Sequence, residues 1–485
     1  MNSKAIIYRT LKTMTRPPSC SAAALVALAA LTTLCALPAV AGGLGEIDVT
    51  DYGAVADGRT DNTAIFQRAL NDAIPGGAVV RVPAGQYYFA GTLDVPAQVV
   101  LKGVNAGERT YSQYANSGGN GGVDGRDVTP STGTVFLVTA GAGNANGTPF
   151  LTLHANSAVK NATFLYPNQP DPMAIPTSPN WTPVLYPYTI SMTGTNGSVD
   201  NVNGVNPYQF IEAADPGGHS IRENIRHVNG TPLMTGILID ADGDNSGNCA
   251  DSVADVHFIP GWGAGTVLNW VAAHATAYYI NRADDITLRG CFAFFYNCGF
   301  HFGVSYFGAA SGTITNCGTD TCDTGVQIDN VDSDFGGLVF EGGAYSATGN
   351  GFAVNLNSLN SGDVTFNGSR FWGPQGGLVM NASQTGSVTS FIGCNFLDWS
   401  WGSSGLNPAA TCIYGGNGAN QSAASGKTRV AHCQFKRDQY QYTYTPGEAG
   451  FLFEGNNVVN GIHAQIIGAP QPSATGPNYI QVNNF

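Results

Sequence analysis

The stretches Gly299-Phe-His-Phe302, Gly325-Val-Gln-Ile328, Gly351-Phe-Ala-Val354 and Gly377-Leu-Val-Met380 begin 26 residues apart. Two further ladders keep the same step. One is apolar: Leu288, Ile314, Phe340 and Phe366. The other holds small residues: Cys291, Cys317, Gly343 and Ser369, with Cys394 arriving one residue early and Cys433 after an insertion. A fixed period in the range of about 20–50 residues means stacked repeats. Each period contains two runs of alternating apolar and polar residues, the strand pattern. Gly, Asn, Asp and Ser separate the runs, which is turn chemistry. No helical period interrupts residues 286–396. The natural unit is one coil of a parallel β-solenoid, so the fold class is all-β: a single-stranded parallel β-helix.

Composition agrees. The chain has 485 residues, 64 of them Gly, and only 11% are charged. Many small polar residues and few Lys or Glu suit an all-β stack with short turns. Length alone suggests several domains of about 150 residues, but a solenoid grows by adding coils, so one long domain is expected. Residues 1–41 read as a secretory leader: basic Lys4, Arg9, Lys12 and Arg16, an apolar stretch from Ala22 to Leu37, and a small-residue cleavage site at Ala39-Val40-Ala41. The apolar run ends at Pro38 and is short for a spanning helix. A secreted or periplasmic product, with no membrane insertion after cleavage, is therefore expected. The further divisions are a cap and first coil at 42–103, early coils with long loops at 104–234, regular coils at 235–469 and a tail at 470–485.

Loss of the four basic residues of the leader takes the formal charge from −13 to −17. Such acidity argues against nucleic-acid binding and mildly disfavours polyanionic substrates. Cys291 and Cys317, one coil apart, stand about 4.8 Å apart in a stacked sheet, within bridging range. A buried stack of small side chains is the preferred reading for most of these cysteines. No zinc-type CxxC pair exists.

The most specific local text runs from Ile47 through Tyr52-Gly53-Ala54, Asp57-Gly58 and Asp61-Asn62-Thr63, then to Val82-Pro83-Ala84-Gly85-Gln86-Tyr87. Between these lies an amphipathic run, Ala64 to Ala73, with Ile65, Ala69 and Leu70 on one face and Thr60 or Asp61 as the cap. Such a helix closes the open end of a stack. This segment resembles the opening of the pectate-lyase-like, right-handed parallel β-helix superfamily, in the branch of polygalacturonase- and rhamnogalacturonase-related proteins. The resemblance implies a right-handed β-helix with a short N-terminal capping helix. It does not set the activity, because hydrolases, lyases, epimerases and tailspikes share that opening.

Residues 166–188 carry Tyr166, Trp181, Tyr186 and Tyr188 in a Pro-rich loop. These rings either bind sugar or fasten the loop to the coils. The segment Asp240-Ala-Asp242-Gly-Asp244-Asn245 has the carboxylate density of a calcium site but lacks the downstream Glu of an EF-hand loop.

Alternation assigns the faces of the Gly-started strands. Phe300/Phe302, Val326/Ile328, Phe352/Val354 and Leu378/Met380 point inward. His301/Gly303, Gln327/Asp329, Ala353/Asn355 and Val379/Asn381 point outward. One sheet face therefore presents Tyr279, Asn281, His301, Gln327 and Asp329 on neighbouring coils, with Asp240 at the same strand end. Acids gather along one edge: Asp240, Asp284, Asp285, Asp329, Asp332 and Asp334, with Asp320 and Asp323 in the turn before the strand that carries Asp329. Glycoside hydrolysis needs two carboxyl groups, about 5–5.5 Å apart for retention or about 6.5–9.5 Å for inversion. Stacked coils offer separations in steps of about 4.8 Å. Asp284, Asp323 and Asp329 are the acid/base candidates. Arg282, His301, Gln327 and Tyr279 are the substrate-binding candidates. The resemblance to polygalacturonases supports little of this set: Asp284-Asp285 and Gly299-Phe-His301-Phe-Gly303 echo two of their four catalytic elements, and the other two are absent.

The leading expectation is an exported glycoside hydrolase that acts on a polysaccharide and needs no cofactor or metal. A polysaccharide lyase, which would bring calcium or a basic residue to a uronate, is the alternative within enzymes. A non-catalytic adhesin or polysaccharide-binding β-helix is the alternative outside them.

Overall fold

The structure, a computed structural model, describes residues 45–74, 77–104, 133–170, 181–214, 222–240, 251–260, 265–333, 336–348, 351–373, 378–384, 386–397, 411–415 and 427–436, and the later strands 443–445, 451–454, 457–459, 465–466 and 479–482. The leader 1–41 and the acids Asp242, Asp244 and Asp334 lie outside the described residues.

The chain is a parallel β-helix. Among the described residues its strands form a 26-stranded sheet and a 13-stranded sheet. In the smaller sheet every strand pairs in parallel with the strand one coil on, from Leu93–Val95 and Leu151–Leu153 to Thr443–Thr445 and Gln465–Ile466. Stacking therefore begins far ahead of Thr235, where the sequence period becomes regular. Among the described strands the one antiparallel pair is a small hairpin, Val304–Ser305 with Gly308–Thr315.

Each later coil gives two strands to the larger sheet and one to the smaller: Ala283–Arg289, Phe292–Phe294 and Cys298–Phe302 are one such coil. A left-handed residue makes the bend between the first two, followed by a second one, Gly343, in one coil. Gly290, Asn316, Gly342, Gly368, Gly393 and His432 occupy it in successive coils, and Asn161, Asn201, His227 and Asp255 take the same role inside longer strands earlier. Gly, Asn and Asp tolerate that conformation best. Neighbours in this ladder also bond: Asn201 Nδ2 donates to Asn161 Oδ1 at 2.9 Å.

Bulges shift the register of the larger sheet at Asp284–Asp285 and between Thr319 and Cys322, but the apolar column beside the bend keeps its pairing. Leu288, Ile314, Phe340, Phe366, Phe391 and Val430 pair in one column, and all are fully buried. Phe340, Phe366 and Phe391 stack face to face, with centroids 4.3 and 5.2 Å apart. The cysteine ladder is buried, and Cys291, Cys298, Cys317, Cys322 and Cys394 are free thiols. Cys291 N donates to Cys317 Sγ at 3.4 Å.

The smaller sheet departs from expectation. Phe300 pairs with Val326, but Val326 pairs with Val354, and Val354 with Val379. Phe352 is only half-buried, Met380 is half-buried, and Ala353, Val379 and Asn381 are buried, not outward. The linker Thr348–Ala353 is longer than the one before Val326, and the corner after Leu356 is two residues shorter than the one after Ile328. Coil length stays at 26 while the strand slides along the chain. Buried Asn381 is satisfied by donating to Thr428 Oγ1 at 2.9 Å.

The cap helix is present at Thr63–Asp72. Asp61 Oδ1 accepts from Thr63 N and Oγ1 at its start. Phe66, not Ile65, leads the buried face with Ala69 and Leu70, and its ring meets Tyr87 and Phe89 edge-on at 5.3 and 5.0 Å. A second helix, Gly265–His274, was not expected. It buries Val267 and Val271, and Trp270 Nε1 donates to Leu233 O. In the 166–188 loop Tyr166, Trp181 and Tyr186 are buried, and Tyr166 packs on Tyr186 at 4.6 Å. Those three rings fasten the loop. Among the described residues no helix is long and apolar enough to cross a membrane.

Candidate functional site

The smaller sheet carries a row of outward side chains in register: Ser191, Glu212, Leu238, Tyr279, His301, Gln327 and Asn355. Two residues further on, at the corner, a second row reads Asp240, Asn281, Gly303, Asp329 and Asn357. Each of its amides bonds to the coil before. Alternation along the strand puts both rows on the same side.

Asp329 is the best-determined group on this face. His301 Nε2 lies 2.7 Å from its Oδ2, Gln327 Nε2 donates to Oδ1 at 2.8 Å, and Asn357 Nδ2 donates to Oδ1 at 3.1 Å. Burial pushes its pKa up, but the bonds from His301, Gln327 and Asn357 outweigh that and hold Asp329 below the usual carboxylate range. Asn355 Nδ2 in turn donates to Gln327 Oε1 at 2.8 Å, which fixes the amide. The ring of Tyr279 stacks on His301, with centroids 4.6 Å apart and planes 18° apart. Burial raises the Tyr279 pKa, and the charges of Asp329 and Asp240 add to it. Its hydroxyl leans over Gly303, where a Cβ would stand 2.7 Å from the Tyr279 ring and 2.4 Å from Asn281 Oδ1. Only glycine leaves that space.

Arg282 builds the adjoining corner. It donates to Asp332 Oδ2 at 2.7 Å and to Asp284 Oδ2 at 2.8 Å, and its backbone N–H reaches Asp240 Oδ1 at 3.4 Å. Asn281 Nδ2 donates to Asp240 Oδ2 at 3.0 Å. Asp284 is buried, and burial raises its pKa, with Arg282 lowering it and Asp332 raising it again.

Tyr279, Arg282, His301, Gln327 and Asp329 are thus brought together, with Asp284 behind Arg282. Asp323 is not. It precedes the strand Thr324–Ile328 and Asp329 follows it, so about 20 Å of extended chain separates their backbones. Burial raises the Asp323 pKa, but no partner carboxylate contributes to the shift. Asp320 is on the strand Gly318–Cys322, not in a turn. Asp285 is exposed in a left-handed bulge. Arg289 pairs with Asp255 at 3.2 Å.

Sequence reasoning missed Asn357 and Glu212. Glu212 faces outward two coils before Tyr279, and burial pushes it up to about 7, with a bond to Ser191 opposing. Strand alternation in the Gln209–Ala213 segment carried that information. Asn357 was hidden by the two-residue slide of its strand. Among the described residues no group of three or more His, Cys, Asp or Glu is placed to hold a metal ion.

A groove of about 750 Å³ lies elsewhere, on the larger sheet, lined by residues including Phe292, Asp320, Ser346, Arg370 and Trp372. Its lining holds a single carboxylate, Asp320. The linked set of carboxylate, imidazole and amides is the one at Asp329.

Residues 46–175 match the family model described as Rhamnogalacturonase A/epimerase, pectate lyase-like. The chain thus carries a pectate-lyase-like opening on a parallel β-helix. Similar solved structures include the A-module of the Azotobacter vinelandii mannuronan C-5 epimerase AlgE6, at 13% identity over 90% of this chain and 98% of that one, TM-score 0.47. The catalytic domain of a GH87 alpha-1,3-glucanase in complex with nigerose is similar at 12% identity over 90% and 69%, TM-score 0.46. PfbA, a surface adhesin of Streptococcus pneumoniae, is similar at 12% over 86% and 93%, TM-score 0.41. A comparison with curated protein sequences found no match.

Proposed function

We propose that the chain is a carbohydrate-active enzyme that lays a polysaccharide along the outward face of the smaller sheet and hydrolyses it at the Asp240–Asp329 row. The Asp329 carboxylate carries this reading: side chains from three successive coils hold it ionised on an open sheet face. Such a carboxylate is a base for water or a nucleophile. Asp240 is the second carboxyl. Its backbone lies three coil steps away, about 14 Å. Asp240 bonds to Asn281 and Asp329 to His301, so both side chains engage the coils that lie between them. That closes the gap toward the range of about 6.5–9.5 Å used in inversion.

Charge selects the substrate class. Asp240, Asp284 and Asp332 gather at Arg282, and Asp284 and Asp332 already occupy its guanidinium, while Asp329 lies on the same face. A neutral glycan fits such a groove better than a polyanion. The leader at 1–41 belongs to the same proposal, since it takes the enzyme to polymer outside the cytoplasm.

The stacked Tyr279–His301 pair favours a second reading, elimination on a uronate, where such a pair supplies the base and the acid. Calcium would belong to that reaction. Incubation with a glucan, a xylan, a mannan, polygalacturonate and alginate separates the two. New reducing ends from a neutral glycan support hydrolysis; the ultraviolet absorbance of unsaturated uronate ends supports elimination. Asp329→Asn and Asp240→Asn should each lower kcat about 100-fold or more, while Asp323→Asn stays near the wild type. Full activity in the first two variants removes the assignment. Binding without product on every polymer removes the enzyme.

A further inference from the structure

We propose that the hairpin of residues 304–309 is a sugar-stacking platform, with the ring of Tyr306 receiving one residue of the bound glycan and Phe307 bracing it. This rests on the polysaccharide reading above and adds a binding position to that site.

The hairpin is out of character for its chain. Val304 pairs with Ala309 and Ser305 with Gly308, which leaves Tyr306 and Phe307 as the two turn residues. Two-residue hairpin turns favour Asn, Asp and Gly. Here both tip residues are aromatic. Tyr306 is 95% exposed, Phe307 37% and Val304 45%. Clustered apolar side chains that protrude into water mark a contact surface.

The platform is held rigidly. Phe307 N donates to Ser305 Oγ at 3.2 Å, and the Tyr306 and Phe307 rings meet edge to face, 5.1 Å apart at 86°. Arg282 anchors the base: its guanidinium reaches Ala309 O at 3.4 Å while it holds Asp284 and Asp332. Gly308 passes so close that a Cβ would lie 3.3 Å from Arg282 Cδ. The chain enters the hairpin directly from His301, Phe302 and Gly303. The aromatic tip is thus tied to Arg282, whose backbone N–H reaches Asp240, and to His301, which binds Asp329.

Size and charge choose the occupant. Three exposed side chains fall far short of the roughly 800 Å² per partner of a stable protein interface. They match one sugar ring, which has an apolar face and carries hydroxyls at its edge. A phenol suits both, with a flat face for stacking and a polar tip that stays wet. Acids crowd the adjoining corner, so the ring that lands here is uncharged.

The test uses the full-length protein in native gels, each cast with one soluble neutral glycan (a glucan, a xylan or a mannan), and steady-state kinetics on the same polymers. Tyr306→Ala should lose the retardation that the wild type shows, and its KM should rise about 10-fold, with the larger part of the loss in KM and not kcat. Tyr306→Phe should keep most of both. Tyr306 is fully exposed, so the melting temperature of the Ala variant should match the wild type. Wild-type retardation and KM in Tyr306→Ala overturn the platform and leave the hydrolase standing. A change of oligomeric state in Tyr306→Ala also overturns it, in favour of a protein contact. A wild type neither retarded nor active on any of these glycans sinks both proposals. Retardation of inactive Asp329→Asn that disappears on adding Tyr306→Ala supports the platform independently of turnover.

Discussion

Glu223 and Asp251 show what a single side chain does in this fold. They occupy successive coils at one corner, and each is at least 98% buried. Among the described residues neither oxygen of Glu223, nor Asp251 Oδ2, finds a hydrogen-bond partner. Burial, and then the charge of Asp251, pushes Glu223 up to about 9; burial pushes Asp251 up to about 7. Both pKa values are raised on folding, so the folded state holds protons that the unfolded chain has released. Stability is fully present below the unfolded carboxylate range and is lost as pH rises toward about 9. Urea midpoints measured from pH 5 to pH 9 should fall steadily, and Glu223→Gln should flatten the slope. A midpoint that rises with pH over that window would contradict this account. Asp329 is the opposite case, held ionised by His301, Gln327 and Asn357. The difference is legible only in three dimensions, because His301 and Asn357 each stand 28 positions from Asp329, and Asp251 stands 28 from Glu223.

At the scale of the element, the corners and bends matter more than the strands. Gly312 has φ +144°, and a Cβ there would stand 2.1 Å from Ile286 O on the coil below. The strand Gly308–Thr315 can pair with Ala283–Arg289 past the Asp284–Asp285 bulge because that position is bare. Gly312→Ala should cost about 2–3 kcal/mol, read as a lower urea midpoint with an unchanged m-value. A midpoint equal to the wild type would show that the coil can shift to accommodate a methyl. The hydrophobic alternation of this strand was visible in the sequence; the bulge beside Asp284 was not. A bulge adds one residue to one strand, and a period counted over whole coils does not register where that residue sits.

At the scale of the whole molecule, stability comes from columns of stacked apolar side chains. Cys291, Cys298, Cys317, Cys322 and Cys394 are free and buried, and the Cys291, Cys317, Cys394 and Cys433 positions fill one buried ladder with Ser369 and Gly343. Thermal melting with and without a thiol reductant should therefore give the same midpoint. A fall of several degrees on reduction would mean that a disulfide, absent from the described residues, supports the fold.

The coil was written in the residues themselves. The 26-residue step of Leu288, Ile314, Phe340 and Phe366 became a single buried column, and the opening motif and cap helix stood where the text put them. The repeat records coil length, which the left-handed bend keeps constant in the larger sheet, and that is a local property. Tertiary structure alone decided which acids meet. It put Asp323 and Asp329 at opposite ends of one strand, bound Asp284 to Arg282, and moved Asn357 beside Asp329 by sliding a strand two residues within a coil of unchanged length. Backbone pairing can trade residues between the two corners of a coil at little cost, and the period is blind to that trade.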